Sequence, residues 1–235
     1  MSFNKRHKKS WPKGLPFYLD FKNQTLFNNL RSSVNNNPKS DAIIFYGNKI
    51  TYEELFMDVK KIAGFLNIKL KISKGDRIAI IMQNCPQFII SYYAILGINA
   101  VIVPINPMLQ VDEISFILAD SNIKAIFAAS EILSTVHGAL KNIKCTSIPL
   151  ICVNYLDYIK KRFNVKLPKE FEYNYDYEKN ILKIYWNDIL VSEYLNFSHN
   201  NNPDELCIIP YTSGSTGMPK GCRHSHRTVN SVINS

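Results

Sequence analysis

Short, almost unbroken apolar runs recur along the sequence at residues 77–82, 100–103, 124–128, 147–153 and 206–210. The segments separating the first four carry apolar residues at helical spacing. A strand that is apolar on both faces must be covered on both, and alternating strand and helix does this by winding helices over a parallel sheet. The pattern therefore predicts an α/β fold with a doubly wound, mostly parallel sheet flanked by helices.

Local signals place the remaining elements. Residues 41–47 read as a strand, Gly47-Asn48 as a tight turn and residues 49–51 as the return strand of a hairpin. Thr51 with Glu54 has capping-box spacing, and Leu55, Val59, Ile62, Ala63 and Leu66 continue the helix. Asn84-Cys85-Pro86 opens a helix through Leu96, residues 112–119 form another, and Ser130 is placed to cap one through Leu140. Residues 88–105 approach the length of a membrane span, but Ser91, Gly97, Asn99 and Pro104 interrupt them, so they read as a buried helix followed by a buried strand. Residues 154–203, rich in Tyr, Asn, Lys and Glu, read as an irregular excursion with one short amphipathic piece at residues 186–195. Residues 35–37 and 200–202 read as polar loops, and no internal repeat is apparent.

Composition narrows the function classes. With 46% hydrophobic and 20% charged residues in 235, the chain can bury a core and is not disordered throughout. Five cysteines without a C-x-x-C pair argue against a disulfide scaffold and a zinc ribbon, and favour a reducing, cytoplasmic setting. The basic residues 1–14 lead into no apolar region of the secretory type, so no export signal is expected. The net charge of +9 suits a polyanionic partner: nucleic acid, an anionic membrane surface or a nucleotide phosphate. No nucleic-acid-binding motif accompanies it, and Lys5-Arg6-His7-Lys8-Lys9 reads as a solvated tail. A basic protein that meets nucleic acid or peripheral membrane surfaces through this tail is the reading that owes nothing to the rest of the chain.

The chemistry is concentrated in Tyr211-Thr212-Ser213-Gly214-Ser215-Thr216-Gly217-Met218-Pro219-Lys220-Gly221, which follows the last apolar run. Glycines let backbone N–H groups approach a phosphate, hydroxyls add donors and a lysine adds a point charge. It is not a Walker A loop, because Pro219 precedes Lys220 and Gly221 follows it, and no G-x-G-x-x-G is present. On composition alone a surface loop of small residues remains equally open. If residues 221–225 are a strand, Cys222, His224 and His226 share a face, and a metal site there competes with an ordinary strand leading into a helix.

The full string resembles the phosphate-binding motif of the adenylate-forming superfamily, which includes acyl-CoA synthetases, firefly luciferases and peptide-synthetase adenylation domains. Within it the chain is most similar to AMP-forming long-chain fatty-acid–CoA ligases, through Trp11-Pro12-Lys13-Gly14 with Pro16, Ile50-Thr51-Tyr52-Glu53-Glu54-Leu55, Lys74-Gly75-Asp76-Arg77, Val103-Pro104-Ile105-Asn106-Pro107 and Asp120-Ser121. The resemblance implies a basic lead-in over residues 1–24 and, over residues 25–235, the N-terminal part of the acyl-CoA synthetase large domain. It implies a ligase that joins a carboxylate, expected to be a fatty acid, to ATP and then to coenzyme A. By carry-over, Thr212, Ser213, Gly214, Ser215, Thr216, Gly217 and Lys220 surround the β- and γ-phosphates, Thr212 approaches Mg²⁺, Thr212 and Lys220 assist the chemistry, and His226 lines the nucleotide or acyl site. In such a family Cys222 to His226 is a strand leading into a helix without a metal, and the loop joins two strands and moves before ATP binds.

The same resemblance implies what residues 1–235 do not supply: the adenine-flanking aromatic segment, the acidic magnesium ligand, the ribose-binding aspartate, the hinge and the C-terminal domain with its lysine. The expectation is an N-terminal fragment, inactive alone, for which a separate C-terminal half is a partner. The alternative is a non-catalytic ATP- or polyphosphate-binding module or a remnant of a ligase. Residues 26–66 are expected to pack against a second sheet built from later sequence, which would leave apolar surface uncovered.

Overall fold

A computed structural model describes residues 10–14, 23–161, 166–172, 182–193, 196–212 and 218–233. The basic run at residues 5–9 and most of the lead-in lie outside the described residues. Thr25 caps α1 (Leu26–Asn36), its hydroxyl accepting the Asn28 amide at 3.3 Å. An antiparallel hairpin follows, β1 (Asp41–Phe45) with β2 (Asn48–Thr51). Its turn is Tyr46-Gly47, one residue earlier than expected, with φ of 46° and 79°. Positive φ at both central residues is the type I′ geometry whose twist suits the flanking strands. The expected capping box opens α2 (Tyr52–Gly64): the Thr51 hydroxyl accepts the Glu54 amide at 3.2 Å, and the Glu54 carboxylate accepts the Thr51 amide at 2.8 Å.

The alternating segment follows as β3 (Arg77–Ile81), α3 (Pro86–Gly97), β4 (Val101–Pro104), α4 (Val111–Asp120), β5 (Ile123–Ala129), α5 (Leu133–Asn142) and β6 (Leu150–Val153). Then come β7 (Lys183–Tyr185), α6 (Trp186–Leu190), β8 (Leu206–Ile208), β9 (Tyr211–Thr212), β10 (Lys220–Gly221), β11 (His224–Ser225) and α7 (His226–Ile233). Residues 88–105 are α3 and β4 as the interrupting residues indicate, with Asn99 just past the helix in the left-handed region at φ 58°. Among the described residues no helix is long and apolar enough to cross a membrane.

Seven strands form the main sheet in the order β11-β8-β4-β3-β5-β6-β7. All are parallel except β11, which runs antiparallel to β8. The chain leaves β3 for β4 on one side, then returns to β5 on the other, so the connection direction reverses between β3 and β5. Right-handed crossovers place α3 on one face and α4 and α5 on the opposite one. α1 and α2 join the α3 layer, and α4 packs on α5. Ile78–Ile81 and Ala125–Ala129 are fully enclosed between the layers.

Two expectations are corrected. Ser130 does not cap the following helix: it opens a 3-10 turn, Ser130–Ile132, and its hydroxyl donates to the Val153 carbonyl at 2.9 Å, tying the ends of β5 and β6 together. Residues 154–203 are more than an irregular excursion: the expected amphipathic piece forms the short helix α6, and before it the segment supplies an unexpected edge strand, β7. Trp186 of α6 is 1% exposed, with its ring 6.1 Å from Phe127 and 6.5 Å from Tyr158 between centroids.

Residues 24–29, at the start of α1, and α7 meet at a polar joint. His226, first residue of α7, is buried, and its Nδ1 accepts the Leu26 amide at 3.3 Å. Thr25 Oγ1 and His199 Nε2 lie 2.8 Å apart, and the Thr25 amide donates to Asn201 Oδ1 at 3.0 Å. Asn230 donates to the Gln24 carbonyl at 2.8 Å and accepts from Asn29 at 2.7 Å. Burial, reinforced by the neighbouring His199, holds the His226 imidazole down to about 4, and burial lowers His199 too.

Truncating Trp186→Ala is expected to cost about 3–5 kcal/mol of unfolding free energy in urea, the range for a large buried aromatic; a negligible loss would place residues 183–190 outside the cooperative core. Because the folded state keeps His226 neutral while the unfolded imidazole titrates near its ordinary value of about 6.5, stability is retained above that pH. It is lost as pH falls from there toward about 4. The variant His226→Asn offers an acceptor to Leu26 without ionising, and should flatten the acid limb of urea midpoint against pH. An unchanged acid limb would contradict this assignment.

Candidate functional site

The loop singled out in the sequence leaves the carboxyl end of β8. Ile209 donates to the Ile102 carbonyl at 2.8 Å, which carries the chain over the end of β4 before Pro210 turns it into β9. β9 and β10 then pair antiparallel, with Lys220 opposite Thr212 and Gly221 opposite Tyr211. The Cys222 amide closes the base on the Pro210 carbonyl at 2.8 Å. Of the carried-over residues, Thr212 and Lys220 are brought side by side and exposed, whereas Ser213, Gly214, Ser215, Thr216 and Gly217 lie outside the described residues.

Gly221 is required by space. A Cβ there would stand 2.8 Å from Ile209 Cγ2 and 3.1 Å from Tyr211 Cζ, so a side chain would push the arms apart. Opposed residues in an antiparallel pair share a face, so the Thr212 and Lys220 side chains leave the strand pair on the same side. A hydroxyl and an ammonium there can hold an oxyanion between them, and the hydroxyl is a hard donor acceptable to a magnesium ion carried by phosphate oxygens.

The strand expected over residues 221–225 is divided. Gly221 pairs within the loop base, His224 and Ser225 pair with β8, and His226 begins α7. Cys222 Sγ lies 3.9 Å from Thr212 Oγ1, on the loop side. Among the described residues no group of three or more His, Cys, Asp or Glu stands together to hold a metal ion. His226, expected beside the ligand, is in the described residues the buried acceptor that joins α7 to α1.

One feature of the same sheet edge escaped the sequence reading. A cavity of ≈ 440 Å³ opens over the carboxyl ends of the central strands, lined by Gln83, Asn84, Pro107, Glu131, Tyr155 and Phe171 among others. Tyr155 braces it: its hydroxyl donates to Glu131 Oε1 at 2.5 Å and accepts the Gln83 amide at 2.9 Å. It lies where the connection direction reverses between β3 and β5, the place at which open α/β sheets hold ligands. Gln83, Asn84 and Glu131 each follow closely on the end of a strand, but only the strand order shows that these two strands are neighbours.

Comparison with known proteins agrees with this geometry. The model of the family described as AMP-binding enzyme matches residues 30–235. The long-chain-fatty-acid–CoA ligase of Bacillus subtilis (strain 168) is 28% identical over 231 residues, covering 93% of this chain and 40% of that protein. The long-chain-fatty-acid–CoA ligase FadD13 of Mycobacterium tuberculosis (strain ATCC 25618 / H37Rv) is 31% identical over 193 residues, 80% of this chain and 32% of that protein. In fold, a long-chain-fatty-acid–CoA ligase (FadD1) from Archaeoglobus fulgidus superposes with a TM-score of 0.72 at 22% identity, over 94% of this chain and 40% of that one. The anthranilate CoA ligase AuaEII, solved in complex with anthranoyl-AMP, superposes at 0.69 and 18% identity, over 91% of this chain and 36% of that one. The chain thus spans about 40% of the length of relatives such as the Bacillus protein. With the family model matching residues 30–235, nearly the whole described fold, the chain belongs to the AMP-binding enzyme family.

Proposed function

We propose that this chain is the N-terminal, polyphosphate-gripping part of an AMP-forming fatty-acid–CoA ligase. The observation that carries the reading is the opposition of Thr212 and Lys220 at the base of a hydroxyl- and glycine-rich loop on the carboxyl edge of a parallel sheet. In the reaction of the whole protein, a carboxylate oxygen attacks the α-phosphorus of ATP, the bond to the β-phosphate bridge breaks and pyrophosphate leaves with its electron pair. The thiol of coenzyme A, losing its proton, then attacks the acyl carbonyl and displaces AMP. The first step develops negative charge on the pyrophosphate, so donors fixed in advance around the β- and γ-phosphates do most of the catalytic work.

Lys220 supplies the cationic contact and Thr212 a hydroxyl, and the loop amides between them complete the cradle. Mg²⁺, when bound, would neutralise phosphate charge, and the Thr212 hydroxyl would be this part's contribution to holding an ion that rarely takes an all-protein shell. The cavity between β3 and β5 shares the loop's sheet edge and is wide enough for part of a second substrate. Residues beyond this part are needed for turnover, whether on one polypeptide or on a separate half. All five cysteines are free thiols, which suits the reducing cytoplasm.

Calorimetric titration of the chain with MgATP tests the grip. The Lys220→Ala variant loses a charged contact and should bind about 10–100-fold more weakly. Equal affinity in parent and variant would remove the loop from the account.

A further inference from the structure

Asp120 and Tyr211 belong to two separate segments of family resemblance, and the fold brings them into contact. In the β9–β10 pair, successive residues alternate faces, so Thr212 and Lys220 occupy one face and Tyr211 and Gly221 the other. The Tyr211 ring crosses Gly221 closely, and beyond it the hydroxyl donates to the Asp120 carboxylate. Ser121, the residue that follows α4, also hydrogen-bonds the Tyr211 hydroxyl, so both side-chain contacts of Tyr211 gather at the end of that helix. The other ties at the base are backbone bonds, from Ile209 to Ile102 and from Cys222 to Pro210. A two-stranded pair of this length is not stable by itself.

Asp120 is the last residue of α4, where the helix dipole presents its negative end. No basic residue lies in that last turn, and the Arg77 guanidinium from β3 meets the helix end through the Ser121 and Asn122 carbonyls. As acceptor of a phenolic proton Asp120 forms a charge-assisted bond, stronger than one between neutral groups. Burial, with the carboxylate adding to it, raises the Tyr211 hydroxyl further above neutrality, so the phenol remains a donor.

We propose that the Tyr211–Asp120 hydrogen bond is a latch that fixes the loop base against the end of α4 and so sets the positions of Thr212 and Lys220 on a bound polyphosphate. Tyr211 and Asp120 are positioning residues, acting through the strand pair and not on the ligand. The inference rests on the polyphosphate reading above.

The test uses the whole chain, MgATP as probe, and the variants Tyr211→Phe, Asp120→Ala, their combination and Asp120→Asn. Losing one hydrogen bond should weaken MgATP binding about 3–10-fold in each single variant. The double variant should be no weaker than either single one, and Asp120→Asn, which keeps an oxygen acceptor, should recover most of the affinity. In the ligand-free chain, Tyr211→Phe should speed hydrogen exchange at the Cys222 amide by a similar factor. Parental affinity in Tyr211→Phe, or losses that simply add in the double variant, would overturn the latch. A parent chain that does not bind MgATP would overturn the polyphosphate reading instead; exchange at Cys222 then decides the latch, and unchanged exchange in Tyr211→Phe refutes it.

Discussion

Ile78, Ala79, Ile80 and Ile81 of β3 are enclosed on both faces, and a strand enclosed in this way cannot be served by a single layer of helices. The chain meets this demand by sending α3 over one face and α4 and α5 over the other. Right-handed crossovers make that possible only if the connections from β3 and from β4 run in opposite directions across the sheet. The reversal separates the helices that begin at the ends of β3 and β5, and the separation leaves the cavity braced by Tyr155 and Glu131. The same arrangement puts β8 beside β4, so the loop that follows β8 emerges on the same carboxyl edge. Site position is thus a consequence of how the central strand is buried.

Holding β8 and the loop in place falls to contacts between parts of the chain far apart in sequence. The joint of His226, Thr25, His199 and the asparagines connects α7 to the start of α1. Asn99, just past α3, exchanges two hydrogen bonds with Asn200, at 2.8 and 2.9 Å, and brings the segment before β8 against the end of α3. Buried polar networks of this kind are specific because an unmatched member is costly. They favour one arrangement of α1, α3 and α7, whereas apolar packing alone tolerates several.

Elements whose signal is local were readable from one sequence. The Thr51–Glu54 box, Pro86 at a helix start and the β-branched runs of β3 and β5 each satisfy a short-range physical requirement, and each is found within a residue or two of its expected place. Elements whose stability comes from elsewhere were not. β7 is three residues long and exists because β6 offers it an edge; α6 shows in the sequence only as an amphipathic stretch, and its place is set by Trp186 against Phe127, 59 positions earlier in the numbering. Ser130 has a cap's identity and spacing, but the helix begins only at Leu133 and the Ser130 hydroxyl donates to the Val153 carbonyl. At the site, the residue types of the loop point to phosphate chemistry, whereas the opposition of Thr212 and Lys220 is a matter of strand register. The division of residues 221–225 between two sheets, and the commitment of His226 to α1, depend on tertiary partners that alternation along a strand cannot reveal.

The central claim is that the β9–β10 loop receives the polyphosphate. Backbone amide chemical shifts followed by NMR during MgATP titration test it most directly, because they report where the nucleotide meets the chain. The account predicts saturable shifts concentrated over residues 211–221, with Thr212, Lys220 and Gly221 prominent. Saturable binding that leaves those amides unmoved, with shifts confined to other surfaces, would contradict it.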